Sequence, residues 1–378
     1  MRILHLVSNW KLTGSVAPAL ELAGALRARG HEVHAAVGRP IQNEDNHAGN
    51  HARSVGLKVV GDLTLSKHFR FLDNFRDVRR LRKIILEEEY DLIHVHGTND
   101  HLLASVVRRN LRQGGIVRSF YCGDLTRLRR RDHLLTMRAA DALLVPSVSE
   151  EAWARQIRPD LDERTLIRLP GAVDLNRFDP DRFPRASRTA GVFRVGIVAR
   201  VQIHRRWEDI LEAVRMLAGS VPEVRLVVVG RGTHYDRLLR TPVCEKGIED
   251  RVELAGYLKG DEYVRMLSGL GAALYLVPGS DGTCRAVREL MAMRLPLVVS
   301  RAGMLPELVE MGRSGMLLDG PGPEPLAEAI KRLSRNPDLC SRLGKAALAR
   351  ARRDFNLENY AERVESMYGH ILAKADKG

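Results

Sequence analysis

An apolar run from Ala272 to Val277 stops at Pro278, a loop of Gly279, Ser280, Asp281, Gly282 and Thr283 follows, and helix-forming residues resume near Arg285. That order predicts a strand, a tight turn and a helix. The pattern repeats at once: the strand Leu295 to Val299 leads through Ala302, Gly303 and Met304 into Pro306-Glu307, where proline suits a helix start. Two consecutive strand-turn-helix units call for parallel strands with helices between them, and put both turns on one edge of a sheet. Small residues let a ligand approach the first turn closely. The first amides of the following helix point unpaired N–H groups at it, and the helix dipole adds partial positive charge. The turn therefore suits an anion such as phosphate. Asp281 lies in the loop and Glu289 on about the second turn of the helix, so two carboxylates bracket the anion, placed to accept hydrogen bonds from hydroxyls of a sugar and a ribose.

At 378 residues the chain exceeds one ordinary core, and two domains are expected. The first apolar run, Ile3 to Val7, is too short for a signal-peptide core and reads as a strand; with no membrane span in view, the expected compartment is the cytoplasm. Cys122, Cys244, Cys284 and Cys340 are scattered without a C-x-x-C pair, which argues for reduced thiols rather than disulfides or zinc. Net charge is +13, with 28 basic against 22 acidic residues up to position 180 and 32 against 25 after it. The basicity is therefore general and favours anionic partners. Nucleic acid is the weakest of these, since aromatic residues make up 5% and no recognition motif is present.

The first half opens as a β-α-β unit: Met1 to Val7, a turn centred on Thr13-Gly14-Ser15, a helix stopping at Arg29-Gly30, and a strand from Glu32 to Val37. A helix from Leu72 to Glu89 carries Phe75, Val78, Leu81 and Ile85 on one face, with Arg76, Arg79, Arg80 and Lys83 elsewhere. Its basic side reads as solvated, or as a contact with an anionic membrane surface, though it shows none of the exposed large apolar residues of an interfacial helix. Asp91 to Val95 is a strand, and His96 at its end lines a candidate site. His94, His96 and His101 are set aside as metal ligands because a strand alternates its faces and His101 lies beyond a turn. The strand Ile116 to Phe120 is followed by Tyr121 and Asp124, and Arg127 to Arg131 form the densest basic cluster. Asp160-Leu161-Asp162 is a D-x-D pattern read as ordinary surface acids, so no metal is expected.

An acid, seven residues, a second acid, then a strand and a Gly-x-x-Pro-Glu turn resembles the nucleotide-sugar motif of retaining glycosyltransferases with the GT-B fold, the group 1 (family four) set. Pro170 to Phe178, PGAVDLNRF, resembles that family's crossover into its second domain, and Arg200 with Arg205 resembles its pattern of Arg, four residues, then Lys-Gly. The resemblance implies that Asp281 contacts the donor sugar, Glu289 the ribose, and Gly282, Thr283 and Cys284, with Arg285 beside them, the diphosphate. Arg200 and Arg205 would clamp that diphosphate, with Arg206 where the family has glycine. Arg presents a planar fork where Lys is a point charge, so the contact geometry changes. Gly14 would lie under the phosphates, and Gly230, in Gly230-Arg231-Gly232, near the nucleotide. Ser15, His96, Tyr121 and Asp124 fall on the acceptor side, with Tyr121 standing where the family commonly has a histidine.

The expected fold is thus α/β GT-B: two Rossmann-like domains facing each other across a cleft. Residues 1–175 form the acceptor domain, 176–190 a linker, 191–355 the nucleotide-sugar domain, and 356–378 a helix crossing back to the first. The expected activity is retaining, metal-independent transfer from a nucleotide-diphosphate sugar to a saccharide or lipid-linked acceptor of a cell envelope, with no cofactor beyond that co-substrate. A nucleotide-sugar epimerase of the same fold is the alternative.

Overall fold

The computed structural model describes every residue except 41–43, 62, 112–114, 122–138, 185–190, 279–283 and 376–378. The chain divides into two compact units, Met1–Gly171 with Leu357–Gly378, and Ala172–Asn356.

In the first unit the order is β1 (Arg2–Val7), α1 (Val16–Ala28), β2 (Glu32–Val37), α2 (His47–Ser54), β3 (Lys58–Val59), α3 (Phe71–Glu88), β4 (Leu92–Val95), α4 (Thr98–Val107), β5 (Gly115–Ser119), β6 (Ala142–Val145), α5 (Val148–Ile157) and β7 (Leu166–Arg168). The strands pair in parallel in the order β3-β2-β1-β4-β5-β6-β7. Ile3, Leu4 and Leu6 on β1 and Leu92, Ile93 and Val95 on β4 are fully buried, as strands covered on both faces require. The strand order turns back on itself between β1 and β4, so their carboxyl ends open a crevice where ligands of such sheets bind. The same pairing sets His5 in register with His94.

Helix α3 departs from its apolar pattern. Its buried residues are Asn74, Asp77, Leu81 and Ile85, and Phe75 is 54% exposed. The expectation that Phe75 lies on the buried face is therefore corrected, and the reason is hydrogen bonding. Asp77 accepts from the amides of Thr64 (2.7 Å) and Leu65 (2.8 Å), and Asn74 donates to Asn99 at 2.6 Å. Satisfied polar groups can occupy a core-facing stripe that apolar spacing assigns elsewhere.

The second unit runs β8 (Phe193–Val198), α6 (Trp207–Leu217), β9 (Val224–Val229), α7 (Thr241–Glu245), β10 (Val252–Gly256), α8 (Gly260–Ser268), β11 (Ala272–Tyr275), α9 (Arg285–Ala292), β12 (Leu297–Val299), α10 (Leu305–Leu308), β13 (Gly315–Leu317), α11 (Pro323–Arg335) and α12 (Pro337–Asp354). Its parallel sheet, β10-β9-β8-β11-β12-β13, reverses between β8 and β11. Trp207, Ile210, Leu211 and Val214 bring the apolar face of α6 onto β8 and β9. The stretch read from sequence as a linker begins inside this unit: Phe178 and Phe183 are buried, and Val173 bridges to Asn356. The last helix, α13 (Leu357–Ala375), packs in the first unit through Val364, Met367, Tyr368 and Ile371, with Arg29 bonded to Glu365 at 2.6 Å. No described helix is long and apolar enough to cross a membrane.

Candidate functional site

In the second unit the carboxyl ends of β8 and β11 place Arg200 on one side of the switch point and Val277 and Pro278 on the other. Asp281, Gly282 and Thr283 lie outside the described residues. Arg200 is exposed and, among the described residues, unpaired. Arg205 is buried, its guanidinium donating to the Val277 carbonyl and lying 5.4 Å over the Tyr275 ring, while its Nε has no partner among the described residues. It is therefore held against the end of β11 rather than free in solvent. Arg206 adopts a left-handed backbone (φ 59°), the conformation that favours glycine, and its side chain bonds Asp209 at 2.6 Å.

Two more glycines are fixed by backbone contact. A side chain on Gly230 would come within 1.9 Å of the Ala199 carbonyl oxygen, and one on Gly232 within 2.0 Å of that of Val201. The Gly-x-Gly turn after β9 thus crosses the backbone beside Arg200 so closely that no Cβ fits. Gly303 (φ 55°) approaches the Pro278 ring, with 2.8 Å between the Cβ position and Cγ, so the turn after β12 touches the chain just beyond β11. Ser300 ties them further by donating to the Leu276 carbonyl.

Helix α9 begins at Cys284, itself left-handed (φ 52°) and fully buried. One turn on, Glu289 is 5% exposed and receives hydrogen bonds from the Tyr263 hydroxyl (2.6 Å) and from Arg285 Nε (2.7 Å). Burial alone would raise its pKa, but Arg285, Tyr263 and nearby Arg177 outweigh burial and hold the carboxyl below its ordinary range. Glu289 is thus a fixed, charged acceptor with half its lone-pair positions taken. Tyr263 was missed in the sequence because an aromatic at helical spacing beside Val264 and Leu267 reads as core. Its hydroxyl is what distinguishes it, and burial pushes that hydroxyl well above its usual range.

In the first unit, Gly14 and Ser15 lie at the start of α1, which has no side-chain cap and no acidic residue in its first turn. Ala17 already donates its amide to the Thr13 carbonyl (3.1 Å) and Pro18 has none, so the first turn of α1 offers few open amides to an anion. His96 and Tyr121 are brought together: the Tyr121 hydroxyl lies 2.9 Å from His96 Nδ1, and His96 Nε2 lies 3.0 Å from His5 Nδ1. The proton can run along this chain in either direction, and in both cases His5 Nε2 is buried without a partner among the described residues. Asp124 lies outside the described residues.

The expectation that strand alternation keeps the histidines apart is corrected. His94 and His96 are two residues apart, so they share a face, and the β1–β4 register adds His5. Their ligand atoms all fall within 4.8 Å of one another. The rings stack, however, with centroids 4.4 Å apart at 24° for His94–His96 and 5.2 Å at 18° for His5–His96. Stacked imidazoles do not converge their lone pairs on one point. His94 is further occupied by the Tyr368 hydroxyl (2.5 Å) and the Ser119 hydroxyl (2.7 Å). Burial depresses all three, His5 to about 3, so the cluster is neutral near pH 7. Asp100, on the first turn of α4, accepts from Ser8 at the end of β1; it is fully buried, and burial raises its pKa. Ser8 and Asp100 were not singled out in the sequence, where the polar run after β4 reads as a loop.

The D-x-D pattern is absorbed locally: Asp160 pairs with Arg158 at 2.7 Å and Asp162 caps Thr165 at the same distance.

Residues 183–350 match the model of the glycosyl transferases group 1, and residues 13–177 that of glycosyltransferase family 4. The chain is 30% identical over 224 residues to a D-inositol 3-phosphate glycosyltransferase of Corynebacterium jeikeium, covering 56% of this chain and 53% of that one. It is 28% identical over 272 residues to the putative colanic acid biosynthesis glycosyltransferase WcaL of Escherichia coli, covering 67% and 65%. The matched stretch thus spans less than two thirds of these relatives' own lengths. In solved structures, the fold superposes on Anabaena Alr3699/HepE in complex with UDP with a TM-score of 0.79 at 16% identity, covering 98% of this chain and all of that one.

Proposed function

Because the chain belongs to the group 1 glycosyltransferases of family four, with the GT-B fold, we propose that it is a retaining, metal-independent glycosyltransferase. It takes a sugar from a nucleotide-diphosphate sugar to a saccharide or lipid-linked acceptor in cell-envelope glycan synthesis, as the name of the colanic acid relative suggests. The observation that carries the reading is Glu289, a buried carboxylate held charged behind the carboxyl end of β11, one helical turn from the start of α9. Such an acceptor suits ribose hydroxyls. The N-terminal amides of α9 and the exposed Arg200 supply positive charge for a leaving diphosphate, which is electrostatic stabilisation of the kind a metal gives elsewhere. In the first unit Tyr121, hydrogen-bonded to neutral His96, presents a hydroxyl to the acceptor. Nothing else is needed as cofactor, and the leaving phosphate takes the acceptor's proton.

Nucleoside diphosphates and nucleotide sugars, UDP first because HepE was solved with it, are titrated calorimetrically in the presence of EDTA. Wild type and Arg200→Ala are compared. Binding by wild type that falls about tenfold or more in the variant, at unchanged melting temperature, supports the reading. No binding, or binding indifferent to Arg200, overturns the donor site, and loss of binding with EDTA overturns metal independence. Product stereochemistry by NMR, once an acceptor is found, tests retention.

A further inference from the structure

Phe69, Phe71, Leu72 and Phe75 are 62%, 72%, 67% and 54% exposed, four large apolar side chains within seven residues at the start of α3. The chain has eight phenylalanines; the other five are no more than 8% exposed, and all three exposed ones are here. This overturns the expectation that the basic face of the helix lacks large apolar residues. On a helical wheel Phe71, Phe75, Leu86 and Leu72 fall within about 100° of one another, on a sector centred about 120° from the stripe that Asn74, Asp77, Leu81 and Ile85 bury. Leu86, 59% exposed, extends the outward stripe three turns along. Helix α3 thus turns a cluster of large apolar side chains outward at its start, with Arg79 and Arg82 between that cluster and Leu86.

The charge around the exposed phenylalanines is mostly basic. From Lys67 to Lys83 there are seven Lys and Arg against Asp73 and the buried Asp77, whereas Glu87, Glu88 and Glu89 close the helix and Glu87 lies 3.6 Å from Lys83. Arg76 and Lys83 lie along one side of this sector and Arg79 within it, with the Arg79 guanidinium 5.2 Å over the Phe75 ring. Aromatic side chains that insert, ringed by guanidinium and ammonium groups at their base, match the section through a lipid surface: acyl chains below, phosphates at the rim.

We infer that this face, Lys67 to Leu86, docks the first unit on a membrane of anionic lipid, with Phe69, Phe71, Leu72 and Phe75 among the acyl chains and Arg70, Arg76, Arg79 and Lys83 at the headgroup phosphates. A second copy of the chain is disfavoured as occupant, because a two-fold pairing sets this basic face against itself. Single-stranded nucleic acid is disfavoured because Leu72 and Leu86 offer no ring for bases to stack on. The inference deepens the lipid-linked acceptor reading, and its readout needs no turnover.

The test is flotation of the full chain with vesicles of phosphatidylcholine alone or mixed with phosphatidylglycerol, at low and high salt. Wild type is expected to float only with phosphatidylglycerol and to be released by salt. The double variant Phe71→Ser/Phe75→Ser is expected to bind about tenfold or more weakly, since the residues supply the inserted area. Arg76→Glu/Arg79→Glu is expected to lose the preference for anionic vesicles. All four positions are exposed, so both variants should keep the wild-type melting temperature, and unchanged nucleotide binding separates failure here from failure of the donor site. Equal binding to both vesicle types, no binding, or binding unaffected by either variant overturns the inference. So does a solution dimer, or retention of RNA, that the phenylalanine substitutions abolish.

Discussion

Lowering the pH from 7 to about 5.5 should weaken the first unit selectively. His5 and His101 are buried there, and burial depresses each to about 3. In the unfolded chain a histidine titrates near about 6.5. The folded pKa is below the unfolded one, so below pH 6.5 the unfolded state takes up protons that the folded state refuses, and stability falls as pH falls. One unit below the unfolded pKa, each histidine withdraws about 1 kcal/mol or a little more, and the pair about 2.5 kcal/mol. His94 and His96, also depressed by burial, act in the same direction. Asp77 and Asp100 act in the opposite one: burial raises their pKa values, so protonation as pH falls favours the folded state. Against a typical domain stability of about 5–15 kcal/mol, the histidine loss is large.

The second unit is the internal control. Its histidines, His204 and His234, are exposed, and its buried acid Glu289, with a lowered pKa, loses stabilisation only as pH falls below the usual glutamate range. Amide hydrogen exchange, corrected for the intrinsic pH dependence, should show protection falling in β1 and β4 between pH 7 and 5.5 while β8 and β9 hold. Equal response of the two units, or an NMR titration placing His5 near 6.5, would refute the reasoning.

Three substitutions test the second unit. Glu289→Gln removes the carboxylate charge that Arg285 faces at 2.7 Å and should cost about 2 kcal/mol by urea denaturation, since Arg285 is only partly buried; an unchanged midpoint would mean the ion pair contributes nothing. Arg206→Gly should be more stable than Arg206→Ala by about 1 kcal/mol, because both lose the Asp209 pair and only glycine is at ease at φ 59°. The reverse order of melting temperatures would show that position 206 leaves the left-handed region. Gly230→Ala should cost about 3 kcal/mol or more, since the new Cβ meets the Ala199 carbonyl rather than a yielding side chain; a wild-type melting curve would contradict that approach.

The alternation of strand, turn and helix was legible in the sequence because its signals are local: apolar runs of strand length, small residues in the turns and proline at helix starts. The two parallel sheets follow from it. What the sequence hid is set by partners far along the chain. The face of α3 was misread because Asp77 and Asn74 look solvent-facing until Thr64, Leu65 and Asn99 are there to bond them. The histidine trio needed the β1–β4 register, which joins residues 89 apart. Tyr263 became a site residue only when α8 brought its hydroxyl to Glu289, 26 residues on.

The two arginines that sequence treats as a pair of clamps divide their labour. Arg200 is exposed at the end of β8 and can close on a ligand directly. Arg205 bonds the carbonyl of Val277, the residue before Pro278, where the chain enters the turn. A lysine there would bring one ammonium; arginine's planar fork lets one arm hold that carbonyl while the cation faces the Tyr275 ring. Arg206, freed from the glycine its backbone prefers, turns away to Asp209. The positive charge at this sheet edge is therefore one exposed guanidinium and one buried guanidinium already held by a carbonyl and a ring.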